Sequence, residues 1–230
     1  MDNPNVIIYC GGKCGSMTLL RTLSINYKVI HTHGINTTLS FLKDNKLNIN
    51  KYNYPNQLFD KFGKNPIYII DSYRNPIERT ISSFFHNINK HVPNYKSRTI
   101  KQLIDIFNTS FLHIEEYHPI NQVLTHFNLE LFKSFDFEKR YNLIKHNNLN
   151  IIKIRFKDIN CWDSILTNIF GKNIKITPYN LTKNKNIYGL YKLFLNKYKL
   201  PDNYFLEDEF KIYNSIEEQL EYKKLWNIKS

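Results

Sequence analysis

An apolar run that breaks abruptly into a glycine-rich turn constrains this chain more than any other feature. Val6-Ile7-Ile8-Tyr9-Cys10-Gly11-Gly12-Lys13-Cys14-Gly15-Ser16-Met17-Thr18-Leu19-Leu20 reads as a buried strand, a tight turn holding one lysine, and a helix opening on hydroxyl residues. Glycines at 11, 12 and 15 let backbone N–H groups turn toward a ligand without a Cβ in the way. A helix beginning near Ser16 adds unpaired N–H groups and roughly half a positive charge. Lys13 adds a full charge, so the parts together make an anion cradle. Spacing narrows the choice of anion. A Walker A loop carries its lysine after the last glycine, whereas Lys13 precedes Gly15 and the loop is shorter. A dinucleotide G-x-G-x-x-G fingerprint fails as well.

The rest of the chain supplies the sheet into which such a turn fits. Residues 5–10, 27–31 and 66–71 read as strands, the first and third apolar enough to be covered on both faces, and 151–155 is a fourth candidate. Met17, Leu20 and Leu23 recur at helical spacing and predict the sheet-facing side of the first helix. The polar segment 36–54 has weak periodicity, with a short helix expected over 38–43 and another over 55–62. Alternating strands and helices argue for right-handed βαβ units. The expected fold is therefore α/β, three layers with a mainly parallel sheet flanked by helices and a helix-rich C-terminal half, in one domain over 1–230. Ligands in such sheets sit beyond the carboxyl ends of the strands. Residues 11–16, 31–33 and 72–74 all fall at such ends.

Pro76 and Glu78 suit the first turn of a helix whose apolar face is Ile77, Ile81, Phe84 and Ile88. Further helices are expected over 99–107, capped near Ser97 or Thr99, over 159–169 ending at Gly171, and over 216–226. A tyrosine-rich stripe at Tyr188, Tyr191, Leu195 and Tyr198 marks one more, stopped by Pro201. Residues 113–119 read as a loop over the cleft, and 177–185 as a basic loop.

The formal charge of +12 favours anionic partners, although abundant Asn, Lys and Ile point to AT-rich codons as part of its source. No run of five consecutive Lys/Arg occurs, which argues against a dedicated nucleic-acid tail. Cys10, Cys14 and Cys161 form neither a disulfide framework nor a zinc spacing, so no metal is expected. The N-terminus runs straight into a strand, and no apolar run approaches the ~20 residues of a membrane span. A soluble, intracellular protein is the expectation, cytoplasmic by its cysteine usage.

Two motifs carry a family resemblance. Lys13-Cys14-Gly15-Ser16-Met17-Thr18 resembles the 5′-phosphosulfate loop of sulfotransferases that use 3′-phosphoadenosine 5′-phosphosulfate (PAPS). Arg74-Asn75-Pro76-Ile77-Glu78-Arg79, with Ser82 eight residues after Arg74, looks like their 3′-phosphate motif. A planar Arg fork and a hydroxyl suit a terminal phosphate. The match lies in the first ninety residues and is nearest to carbohydrate O-sulfotransferases and capsular-polysaccharide-type proteins. It implies a P-loop-like fold, PAPS as sulfuryl donor, and a carbohydrate or other hydroxyl acceptor, which the charge allows to be anionic. It also implies that Gly11, Gly12, Lys13, Cys14, Gly15, Ser16, Met17 and Thr18 hold the donor with Arg74 and Ser82. Lys183 and Lys185 would close over it from the basic loop. Lys13 would neutralise charge on the departing phosphate. His31 or His33, with slight preference for His33, would take the acceptor's proton. Glu115, Glu116 and His118 are reserve bases. Met17 departs from the family pattern, where Thr or Ser is common.

Two other functions fit parts of the sequence. Ile67-Tyr68-Ile69-Ile70-Asp71 looks like a Walker B strand, which would suit a P-loop-type kinase, though Lys13 is displaced for that role. A catalytically inactive polyanion binder of the same fold would account for the charge alone.

Overall fold

The structure, a computed structural model, describes residues 5–33, 65–112, 119–179, 186–201 and 208–228. The helices expected over 38–43 and 55–62 lie outside these residues. The contacts of the chain fall into two compact units, Met1–Arg74 with Tyr117–Tyr179, and Asn75–Glu116 with Asn180–Ser230.

The first unit contains a sheet whose five described strands are β1 (Asn5–Tyr9), β2 (Lys28–Thr32), β3 (Ile67–Tyr73), β4 (Tyr141–His146) and β5 (Leu149–Arg155), in the order β2-β1-β3-β5-β4. All neighbours are parallel except the β4/β5 pair. The glycine turn joins β1 to α1 (Ser16–Leu23). From β1 the chain steps to β2 on one side and then to β3 on the other. This reversal puts the switch point of the topology at the carboxyl ends of β1 and β3, where sheets of this kind take ligands.

Strand alternation assigns two cores. On one face Ile7, Tyr9, Ile30, Ile67, Ile69 and Ile151 pack with Ile120, Val123 and Leu124 of a helix over Pro119–His126. On the other, Val6, Ile8, Ile70, Ile152 and Ile154 pack with Leu19 and Leu23 of α1 and with Trp162, Ile165 and Leu166 of a helix over Trp162–Phe170. The coarse α/β expectation therefore holds, with a mostly parallel sheet.

Two local expectations need correction. Met17 is 36% exposed and Leu20 only half-buried, whereas Leu23 is buried as expected and is joined on the inward side by Ser16 and Leu19. Entry through a left-handed Gly15 (φ 83°) sets that rotation. β3 runs two residues further than expected, because its ladder with β5 continues through Ser72↔Ile154 and Tyr73↔Arg155. The strand expected at 151–155 is present within β5, the second arm of an antiparallel hairpin with β4 that turns at Asn147 (φ 51°), and it lies inside the sheet.

In the second unit, α2 (Pro76–His86), α3 (Ile88–His91) and α4 (Ile100–Ser110) precede the Pro119–His126 helix, here α5, and the Trp162–Phe170 helix, α6, of the first unit. The second unit resumes with α7 (Tyr188–Lys197), α8 (Asp208–Ile212) and α9 (Ile216–Trp226), which brings the described α-helices to nine. Asn75 caps α2 by accepting from Ile77 and Glu78 N–H, and Thr99 with Gln102 forms a capping box on α4. Ile77, Ile81, Phe84 and Ile88 are all buried. They meet Phe107, Phe194 and Tyr198 in an aromatic core in which Phe84 and Phe107 pack edge to face at 5.3 Å. Among the described residues no helix is long and apolar enough to cross a membrane.

Candidate functional site

The glycine turn is shaped from below. Gly15 is held at φ 83° directly over two aromatic rings, and a Cβ there would come within 2.7 Å of Trp162 and 2.9 Å of Phe156. Gly12 is different: it is exposed, its φ is not positive, and a Cβ would meet nothing within 4 Å. The fold requires a glycine at 15 and leaves space above 12. Lys13 takes the left-handed conformation (φ 68°) that a lysine rarely adopts. Its carbonyl accepts a 2.8 Å hydrogen bond from Arg74 Nη1, while the Arg74 guanidinium lies 4.5 Å over the Phe156 ring. Arg74, expected to bind phosphate, thus clamps the lysine of the cradle through its backbone. No side chain caps α1. Thr18 N–H turns back to the Gly15 carbonyl at 3.0 Å, and the N–H groups of Ser16 and Met17 precede the helix's own bonds.

The hydroxyls expected in the cradle are spread differently. Ser16 and Thr18 are both buried. Thr18 Oγ1 accepts from Tyr179 N–H at 3.3 Å, and Thr22 Oγ1 accepts from Thr177 N–H at 3.0 Å. Arg21 stacks 3.5 Å over the Tyr179 ring. The segment 177–179 is therefore fastened along α1, with Thr18 serving as its anchor. Cys14 is buried, with Sγ 3.6 Å from the Gly12 carbonyl, and Cys10 is fully buried beneath it. Burial, then Cys14 and Asp71, push the Cys10 thiol well above the ordinary thiol range, so it stays protonated.

At the end of β2, His31 and His33 face each other edge to face with centroids 4.5 Å apart. Both rings therefore lie on one side of the strand, as strand alternation predicts. His33 Nδ1 is 2.8 Å from the Cys10 carbonyl, which ties the ring to the root of the glycine turn. Burial, reinforced by His33, pulls His31 down to about 4 from its ordinary 6.5. His31 Nε2, and Ser72 Oγ at the end of β3, are buried with no hydrogen-bond partner among the described residues.

On the opposite face of the sheet the charges are matched. Lys153 on β5 and Asp71 on β3 are register partners joined at 2.7 Å, each side chain 2% exposed. Arg155 grips Asp158 with two hydrogen bonds, 2.6 Å from Nε and 2.9 Å from Nη2, between the rings of Phe135 and Phe137. The Arg155 carbonyl accepts from Trp162 Nε1 at 3.0 Å. Sequence reasoning missed both pairs, and it placed Ser72 only within the strand-end stretch 72–74, with no role. The available signal was a lysine and an arginine inside an otherwise apolar strand.

Ser82 is half-buried on α2 within the second unit. In that unit the Glu78 carboxylate accepts from Tyr222 OH at 3.2 Å. Lys183, Lys185, Glu115, Glu116 and His118 lie outside the described residues. Among the described residues no group of three or more His, Cys, Asp or Glu is arranged to hold a metal. A cavity of about 620 Å³ lies away from all these groups, at the amino end of β2, lined by Ser24–Lys28 with Lys172 and Asn173. Its lysines stand just beyond the carboxyl ends of α1 and α6, where they offset the helix dipoles. No family model matches the chain, and neither does any curated protein or solved structure.

Proposed function

We propose that the chain is a PAPS-dependent sulfotransferase acting on a hydroxyl of a carbohydrate, on a P-loop-like variant of the α/β fold. The observation that carries the reading is the bond between His33 Nδ1 and the Cys10 carbonyl, which orients a potential base beside an anion cradle. A carbonyl only accepts, so Nδ1 holds the proton and the lone pair of the neutral ring is on Nε2. That is the state required to draw a proton from a hydroxyl.

The residues present suit the donor. The space above Gly12 and the uncapped start of α1 fit oxygen-rich groups, with Lys13 as the nearby charge. When bound, the donor supplies an activated sulfuryl group on a phosphate oxygen, which departs with the electron pair of the broken bond. Lys13 would stabilise charge at that oxygen. Arg74 holds the Lys13 carbonyl, and so the shape of the turn. Ser82, Lys183 and Lys185 enter the reading from the resemblance alone. The kinase reading is disfavoured by Asp71, whose carboxylate is held by a buried lysine at 2.7 Å.

Calorimetry tests the proposal. 3′-Phosphoadenosine 5′-phosphate is expected to bind without metal and ahead of ADP and ATP–magnesium, and Arg74→Ala is expected to weaken it at least tenfold. Preference for ATP–magnesium, or no nucleotide binding, would overturn it.

A further inference from the structure

The two histidines at the end of β2 present their nitrogens in opposite ways. His33 is fixed by the Cys10 carbonyl as an Nε2 acceptor. His31 differs, because its Nε2 is buried and meets no hydrogen-bond partner among the described residues. A buried polar atom without a partner is costly, and at a strand end beside the glycine turn a bound group is one source of that partner. The edge-to-face contact at 4.5 Å sets both rings side by side on one side of the strand.

Resting on the sulfuryl-transfer reading, we propose that the rings have opposite roles: His33 receives the proton of the acceptor hydroxyl at Nε2, and His31 stays neutral and donates Nε2–H to an oxygen of the group being transferred. His31 is suited to this by its surroundings. Burial and the neighbouring ring bring it down to about 4, so at neutral pH it is uncharged and a poor base. A neutral imidazole is still a hydrogen-bond donor, and a donor aimed at an oxygen that gains charge lowers the barrier. Two adjacent imidazoles also resist carrying two charges. Keeping His31 neutral leaves the single positive charge to His33 when it takes the proton. The protons balance simply. The hydroxyl proton moves to His33 Nε2 while its Nδ1–H remains on the Cys10 carbonyl. His31 keeps its own proton throughout, and neither ring forms a covalent bond.

Nitrogen-15 NMR of the imidazoles in the full chain tests this without turnover. His31 is expected to carry its proton on Nε2 and to stay neutral down to pH 5, and His33 to carry its proton on Nδ1. With 3′-phosphoadenosine 5′-phosphate and inorganic sulfate as probes, the His31 Nε2–H signal is expected to shift. Sulfate affinity in the presence of the nucleotide is expected to fall about tenfold in His31→Leu and to stay within about threefold in His31→Gln, which retains a donor. A lone pair on His31 Nε2, or equal losses in the two variants, would overturn the donor role while the nucleotide still binds. Failure of the wild-type chain to bind the nucleotide would overturn the underlying reading and the donor role with it.

Discussion

The two faces of the sheet end differently at the carboxyl edge. On the α5 face, charged side chains have found each other: Asp71 with Lys153, and Arg155 with Asp158 between two phenylalanine rings. On the α1 face, at the strand ends beside the glycine turn, His31 Nε2 and Ser72 Oγ are buried with no hydrogen-bond partner among the described residues. Burial is severe on both faces, so exposure does not explain the difference. A fold that can pair ions buried to 2% can also satisfy a hydroxyl and an imidazole. One face carries paired ions as scaffold, while the other brings polar groups without described partners to the strand ends where the proposed donor would sit.

The largest expected effect comes from breaking the matched face. Lys153→Met leaves Asp71 as an unpaired buried charge and is expected to cost about 3–5 kcal/mol in urea unfolding. Adding Asp71→Leu should recover most of that loss, since two apolar groups replace a matched pair at little net cost. If the double variant is no more stable than the single one, the pair is not simply scaffold.

A middle-sized effect separates the two glycines. Gly15→Ala must be accommodated at φ 83° against Trp162 at 2.7 Å, and is expected to lower stability by about 2 kcal/mol or more. Gly12→Ala meets nothing in the fold and should leave the melting temperature unchanged, yet weaken 3′-phosphoadenosine 5′-phosphate binding by occupying the space above the turn. Equal thermal shifts in the two variants would contradict the distinction.

The smallest effect is a pH dependence. His31 is lowered in the folded chain to about 4 from 6.5, so the unfolded chain takes up the extra proton first as pH falls. The His31 contribution is therefore fully present above about 6.5 and is lost progressively as pH falls toward 4. With solvent screening of a partly exposed ring allowed for, the loss is of order 1–2 kcal/mol. Chemical unfolding of wild type and His31→Leu at pH 7 and pH 4.5 measures it, and the variant should show the flatter profile.

Local pattern made much of the frame legible. The apolar run at 5–10, the start of α1 at Ser16 and the span of α9 are matters of neighbouring residues, and they stand where the spacing predicts. What escaped depends on distant pairing. The β4 sequence Tyr-Asn-Leu-Ile-Lys-His is half-exposed at the edge of the sheet and has no clean alternation, so nothing in it announces a strand. Asp71 and Lys153 are 82 residues apart and meet only because β3 and β5 are adjacent. The role of Arg74 in holding the Lys13 carbonyl could not be read from a motif that suggests a side-chain ligand. Thr18 looked like a cradle hydroxyl until residues 177–179 were found fastened to it.

One measurement tests the contrast between the faces most directly: an amide and imidazole chemical-shift map of the full chain as 3′-phosphoadenosine 5′-phosphate is added. The largest changes are expected on residues 11–16, His33 and Ser72, with residues 153–158 nearly silent. Changes centred on Lys153 and Arg155 with a silent glycine turn would contradict it.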